Sequence, residues 1–180
     1  FRLEGQTESI VARLLELGAT EIGDVRQADH YFNHPVRDFS ETDEALRIRS
    51  VGSENWLTWK GPKIDKTTKT RREIETALGA GTQTAEQISE VLAILGFRSV
   101  AVVRKVRRQF ELNRGDFRFE FAIDRVDEVG EFLEIELIAD QDGLTEAQQA
   151  LKSLSQDVGL AEAAIERKSY LGMLLAGRAS

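Results

Sequence analysis

Arg47 and Arg49 stand on either side of Ile48, and in a β-strand that spacing puts both guanidiniums on one face and Leu46 and Ile48 on the other. The same alternation recurs along the chain. Lys60 shares a face with Thr58; Arg71, Glu73 and Glu75 are aligned; Lys105 and Arg107 flank Val106. Arg118, Glu120, Ala122 and Asp124 oppose Phe117, Phe119, Phe121 and Ile123, and Glu134 and Glu136 oppose Leu133, Ile135 and Leu137. Arginine and lysine grip phosphate oxygens, and carboxylates supply the hard oxygen ligands of Mg²⁺ or Mn²⁺. Strand by strand, two arrangements fit: an open sheet with its charged face in water, or a sheet closed around a wet, charged interior that takes an anionic ligand. The residues alone leave both open.

The elements that must position these groups are legible from periodicity. Helices are expected at Glu8–Leu17, Ala85–Leu95, Glu146–Val158 and Ser169–Ala176, with apolar stripes such as Ile10, Val11, Leu14 and Leu15. Thr84 with Gln87, and Thr145 with Gln148, read as capping boxes; Gly18, Gly96 and Gly159 read as helix ends. Strands are expected at Ala45–Val51, Asn55–Gly61, Lys69–Leu78, Ser99–Leu112, Phe117–Arg125 and Glu131–Ala139, with weaker ones at Glu21–Gln27 and His30–Asn33. Asn113-Arg114-Gly115-Asp116 is a hairpin turn. About eight strands and four helices make an α+β chain. A faint repeat is visible as well: Leu14–Gly18 and Leu92–Gly96 end two helices 78 residues apart, and at that offset Val25-Arg26 meets Val103-Arg104 and Phe32 meets Phe110.

Composition narrows the chemistry. The 180 residues read as one domain, 1–180. There is no cysteine, which excludes a disulfide framework, a thiol nucleophile and Cys-ligated zinc. A net charge of −7 is a poor match to a general nucleic-acid binder. No run approaches the roughly 18 apolar residues of a membrane span, so the chain reads as a soluble, cytoplasmic protein without a membrane partner. His30 and His34 are four apart, but on a strand and turn, where that spacing makes no zinc site. Gly61-Pro62-Lys63 lacks the Gly-Lys-Ser/Thr and helix of a Walker loop. Lys63, Lys66 and Lys69 read as a solvated loop.

The ordered set of short motifs resembles one family. It comprises Asp29-His30-Tyr31-Phe32-Asn33-His34-Pro35 with Arg37-Asp38-Phe39, then Thr42 to Arg49, Trp59 to Lys63, Arg71 to Glu75 and Lys105-Val106-Arg107-Arg108. Asp124, Gly130 to Glu136 and Lys168-Ser169-Tyr170-Leu171 complete it. The chain is similar to the CYTH superfamily, the triphosphate tunnel metalloenzymes, closest to class IV adenylyl cyclase-like proteins and related to thiamine triphosphatases. The resemblance implies a closed eight-stranded antiparallel tunnel with helices outside, a small-molecule triphosphate as substrate, and Mg²⁺ or Mn²⁺ as cofactor. It assigns phosphate contacts to Arg47, Arg49, Lys60, Lys105, Arg107 and Lys168, metal ligands to Asp124, Glu134 and Glu136, and further tunnel carboxylates to Glu73 and Glu75. It names no catalytic base and permits a homodimer. The family opens with Glu-x-Glu-x-Lys, whereas Phe1-Arg2-Leu3-Glu4-Gly5 reads like the residues after that motif, so the expectation is that the motif lies upstream. The activity expected first is conversion of ATP to cyclic AMP and pyrophosphate. A triphosphatase and a non-catalytic polyphosphate-binding module are the alternatives.

Overall fold

The computed structural model describes residues 1–63, 71–137, 144–160 and 165–179. The elements in chain order are α1 (Thr7–Glu16), β1 (Thr20–Asn33), β2 (Ala45–Val51), β3 (Glu54–Lys63), β4 (Arg71–Ala80), α2 (Thr82–Ile94), β5 (Arg98–Arg114), β6 (Phe117–Val126), β7 (Gly130–Leu137), α3 (Leu144–Asp157) and α4 (Tyr170–Arg178). The strands form a sheet of order β4-β3-β2-β1-β5-β6-β7. The α+β class therefore stands, but among the described residues the sheet has seven strands and is not closed.

The eighth expected strand disappears for a definite reason. Glu21–Gln27 and His30–Asn33 are one continuous strand of 14 residues. Asp29, a poor strand former, falls between them and masks the continuity in the sequence. Lys69 and Ala139, the outer ends of two other expected strands, lie outside the described residues.

The chain groups into two compact units, 26–104 and 1–25 with 105–180. In the first, Phe32, Phe39, Leu46, Ile48 and Leu92 are buried, with Ala85, Ile88 and Trp59 packed against them. This places α2 on one face of β1, β2 and β3. In the second, Ile10, Val11 and Leu14 of α1 and Leu154 of α3 bury against Phe110, Phe119, Phe121 and Leu133. Residues of odd and even number thus go to opposite faces, and in each unit the apolar set faces helices. At the chain start, Phe1 N–H donates to Leu133 O at 2.8 Å and Leu3 N–H to Glu131 O at 3.0 Å, so these residues run along β7.

The helix ends match the sequence expectation more closely than the helix starts. Gly18, Gly96 and Gly159 have φ near +88° and follow α1, α2 and α3, as a left-handed terminus requires. By contrast α2 starts at Thr82, and Thr84 does not cap it: its hydroxyl donates to Ala80 O at 3.0 Å from inside the first turn. The Thr145 side chain lies outside the described residues. In the β5–β6 hairpin Arg114 pairs with Phe117 across Gly115-Asp116, as expected.

Candidate functional site

The polar face of unit 26–104 is assembled by strand register. Asp29 lies directly opposite Arg49, and Tyr31 opposite Arg47; Arg47 is opposite Thr58, which is opposite Glu75. Lys60 is opposite Glu73. Arg49 donates from Nε to Asp29 Oδ1 and from Nη2 to Oδ2, both at 2.7 Å, a fork-to-fork ion pair. Arg47 reaches Asp29 Oδ2 at 3.3 Å and the Tyr31 hydroxyl at 3.4 Å, both through Nη1. Its Nε is buried with no hydrogen-bond partner among the described residues, as is Gln27 Oε1. Lys60 Nζ donates to Glu73 Oε1 at 2.7 Å, and the Thr58 hydroxyl to Glu75 Oε2 at 2.8 Å. Burial lowers the Lys60 ammonium below the usual lysine range and raises the Tyr31 phenol.

The second cluster lies in the other unit, where Arg107 of β5 is opposite Asp124 of β6. Asp124 is fully buried, 0% exposed, and four donor groups meet its two oxygens. Arg107 donates from Nε at 2.7 Å and Nη2 at 2.6 Å, Lys105 Nζ at 3.0 Å and the Tyr170 hydroxyl at 3.0 Å. Arg107 Nη2 also reaches Glu134 Oε2 at 2.6 Å. Lys105 Nζ sits 5.2 Å from the Tyr170 ring centroid. Burial works against the Asp124 carboxylate, but the Arg107 hydrogen bonds and the charges of Lys105 and Arg107 outweigh it and hold its pKa below the usual aspartate range. Burial, with Arg107 adding to it, lowers the Lys105 ammonium.

The structure therefore gathers Arg47 and Arg49 on one carboxylate, pairs Lys60 with Glu73, and gathers Lys105, Arg107, Asp124 and Glu134. It does not bring in Lys168, which is exposed, or Glu136, which is exposed and stands opposite Glu120. Lys63 pairs with Asp43 at 2.9 Å; Lys66 and Lys69 lie outside the described residues. His34 packs on Phe39 of its own loop and on Phe97, between α2 and β5. Trp59 faces the core and donates its indole N–H to Glu44 at 3.1 Å. Four residues without an expected role prove central: Asp29, Tyr31, Thr58 and Tyr170. A carboxylate in mid-strand with tyrosine two residues on was the signal for the first pair. Tyr170 meets Asp124 across 46 residues, and nothing local announces that.

The carboxylates can be tested against a divalent cation. Asp124 Oδ2 takes three donors, whereas Oδ1 takes only Arg107 Nε and keeps a lone pair toward a cation. Glu134 and Glu136 share a face of β7 and present hard oxygens; Glu134 uses Oε2 for Arg107. Among the described residues no three His, Cys, Asp or Glu side chains converge as a metal cage. The pair fits a cation that takes its remaining ligands from water and a phosphate chain, as Mg²⁺ does.

Comparison with known proteins matches residues 1–170 to the CYTH domain, and the chain belongs to that family. A Methanocaldococcus jannaschii protein carrying the provisional name adenylate cyclase is 37% identical over 163 residues, 90% of this chain and 89% of its own. A solved Pyrococcus horikoshii protein is 36% identical with TM-score 0.80, covering 94% and 93% of the two chains. A Hippeastrum protein described as having a dominant triphosphatase activity shares the fold at 15% identity, TM-score 0.68, over 96% and 91%. Family membership implies an enzyme that uses a divalent cation and a small triphosphate. No helix among the described residues is long and apolar enough to cross a membrane.

Proposed function

We propose that the chain is a metal-dependent enzyme acting on a triphosphate, converting ATP to cyclic AMP and pyrophosphate. The observation that carries this reading is the buried, unpartnered Arg47 Nε, in a cluster where two guanidiniums share one aspartate. A buried N–H without an acceptor costs about 1–3 kcal/mol, and a phosphate oxygen supplies the acceptor. Arg47, Arg49 and Lys60 are the proposed contacts to the phosphate chain in unit 26–104 and stabilise the charge of the departing pyrophosphate, and Lys105 and Arg107 are proposed phosphate contacts in the other unit. The ribose 3′-hydroxyl attacks the α-phosphorus in line. Glu134 and Glu136 hold the cation, which neutralises phosphate oxygens and acidifies the nucleophile when bound. Asp124 orients Lys105 and Arg107, and with its Oδ1 lone pair it is kept as a further ligand of the cation. A role for Lys168 on the phosphate chain is part of the proposal. Glu73 and Glu75 set the placement of Lys60 and Thr58.

A second reading, hydrolysis of a terminal phosphate of thiamine triphosphate, inorganic triphosphate or a nucleotide, is favoured by the activity described for the Hippeastrum protein. The same cations serve; only the phosphorus that meets the nucleophile changes. The deciding experiment incubates full-length protein with ATP, thiamine triphosphate or inorganic triphosphate and Mg²⁺ or Mn²⁺, with products identified by chromatography. Cyclic AMP with pyrophosphate is the expected outcome. Orthophosphate without cyclic nucleotide makes the protein a triphosphatase, and binding without turnover makes it a polyphosphate-binding module.

A further inference from the structure

The geometry points to a division of labour between Arg47 and Arg49, imposed by Asp29: with Tyr31, it is a positioning residue that keeps the Nε edge of Arg49 for itself and leaves that of Arg47 for a phosphate chain. This rests on the reading of the face as a polyphosphate site and assigns a role to two residues outside the expected contact set.

The two arginines look equivalent in sequence and are not equivalent in space. Arg49 lies directly across from Asp29 and spends both Nε and Nη2 on it, each at 2.7 Å. Arg47 is displaced by two residues along β2, so it meets the same carboxylate only at 3.3 Å and only through Nη1. Its second contact, the Tyr31 hydroxyl at 3.4 Å, is equally long. The Nε edge of Arg47 is therefore the buried donor edge left for a ligand. Among the described residues the other carboxylates assigned to this face do not reach it: Glu73 is turned to Lys60 and Glu75 to Thr58. Asp29 is only 3% exposed, so water does not compete for it. Without the carboxylate, two guanidiniums on adjacent positions of one strand face would repel each other and splay.

The test exploits a sign. Asp29→Asn makes the face more positive, so electrostatics alone predicts tighter binding of inorganic triphosphate. Positioning predicts weaker binding, on the order of tenfold in Kd by titration calorimetry, with the loss largely absent in an Arg49→Met background. Tyr31→Phe, which keeps the ring, weakens binding about two- to fivefold and serves if Asp29→Asn does not fold. In wild type, the arginine Nε–H resonances supply a readout that a merely structural role would not move. Inorganic triphosphate shifts that of Arg47 and leaves that of Arg49 in place. Unchanged or tighter binding by Asp29→Asn, or equal shifts at both arginines, overturns the division of labour while leaving the site. Absence of any shift or binding in wild type removes the polyphosphate reading, and the division of labour with it.

Discussion

Each unit buries one aspartate against a guanidinium directly across an antiparallel ladder, Asp29 with Arg49 and Asp124 with Arg107, and adds a second cation and a tyrosine hydroxyl. Asp29 and Arg107 are separated by the same 78 residues that separate Leu17-Gly18 from Leu95-Gly96. At equivalent places in the faint repeat, then, the charges are exchanged: the carboxylate sits on the first strand after α1, the guanidinium on the first strand after α2. The clusters differ in balance. Around Asp124, two cations face two carboxylates, and the hydrogen bonds are 2.6–3.0 Å. Around Asp29, two guanidiniums share one carboxylate, and one of them is held at 3.3 Å with an unpartnered Nε. A satisfied buried network rigidifies; an unsatisfied one waits for a partner. On the proposed reading, the balanced cluster is the scaffold that fixes Lys105 and Arg107 for their phosphate contacts, and the unbalanced one is the receptor whose donor edge is still open.

The largest expected effect breaks that comparison by the same substitution on each side. Arg107→Met leaves Asp124 with Lys105 and Tyr170 and strands Glu134, and removing one partner of a buried pair costs about 3–5 kcal/mol. Arg47→Met leaves the Asp29–Arg49 pair intact and removes a buried N–H that has no acceptor, so its stability change lies within about 1 kcal/mol. Its loss appears instead in ligand affinity, about 10- to 100-fold for triphosphate and less for monophosphate. Chemical denaturation and calorimetric titration of both variants give the four numbers. Equal destabilisation of the two would erase the distinction between scaffold and receptor.

Acid should weaken the balanced cluster. The Asp124 carboxyl has a lowered pKa in the folded protein, so its contribution to stability is present above the unfolded aspartate value of about 4. It is lost as pH falls from there through the lowered folded value. Asp124→Asn, wherever it folds, should flatten the stability profile over that acid range. A profile parallel to wild type would mean that Asp124 titrates alike in both states.

How much of this the sequence disclosed follows from what is local. Alternation along β2, β5, β6 and β7 placed Arg47, Arg49, Lys105, Arg107, Asp124, Glu134 and Glu136 on polar faces, because side-chain period is a property of the strand itself. Helix ends were legible because a left-handed residue favours glycine. Register was not legible: whether Arg47 or Arg49 lies opposite Asp29 is set by the β1–β2 pairing, and a two-residue shift would exchange their roles. Tyr170 was hidden for the same reason, its partner being fixed by how α4 returns to β6. Charge balance is a sum over such pairings, so the contrast between the clusters could not be read before the ladders were known.

The smallest expected effect sharpens the comparison at the rim of the balanced cluster. Glu136 and Glu134 occupy the same face of β7, yet only Glu134 is tied in, through Arg107. Glu136 is exposed and stands directly opposite Glu120, which in turn is opposite Glu111, so three like charges lie in one row across β5, β6 and β7. Arg118 offsets part of this from Glu111 and Glu120, and among the described residues Glu136 has no ion pair. Like charges directly opposite each other are destabilising by a few tenths of a kcal/mol, about 0.2–1. Glu136→Gln should therefore leave stability unchanged or raise it slightly. If Glu136 holds the cation, the same change weakens Mn²⁺ affinity, measured by calorimetry on the protein with inorganic triphosphate, and lowers metal-dependent turnover. Glu134→Gln would lower stability and metal affinity together. A Glu136→Gln variant with unaltered Mn²⁺ affinity would take Glu136 out of the metal site, and its exposed carboxylate would then be an unrelieved repulsion without a function.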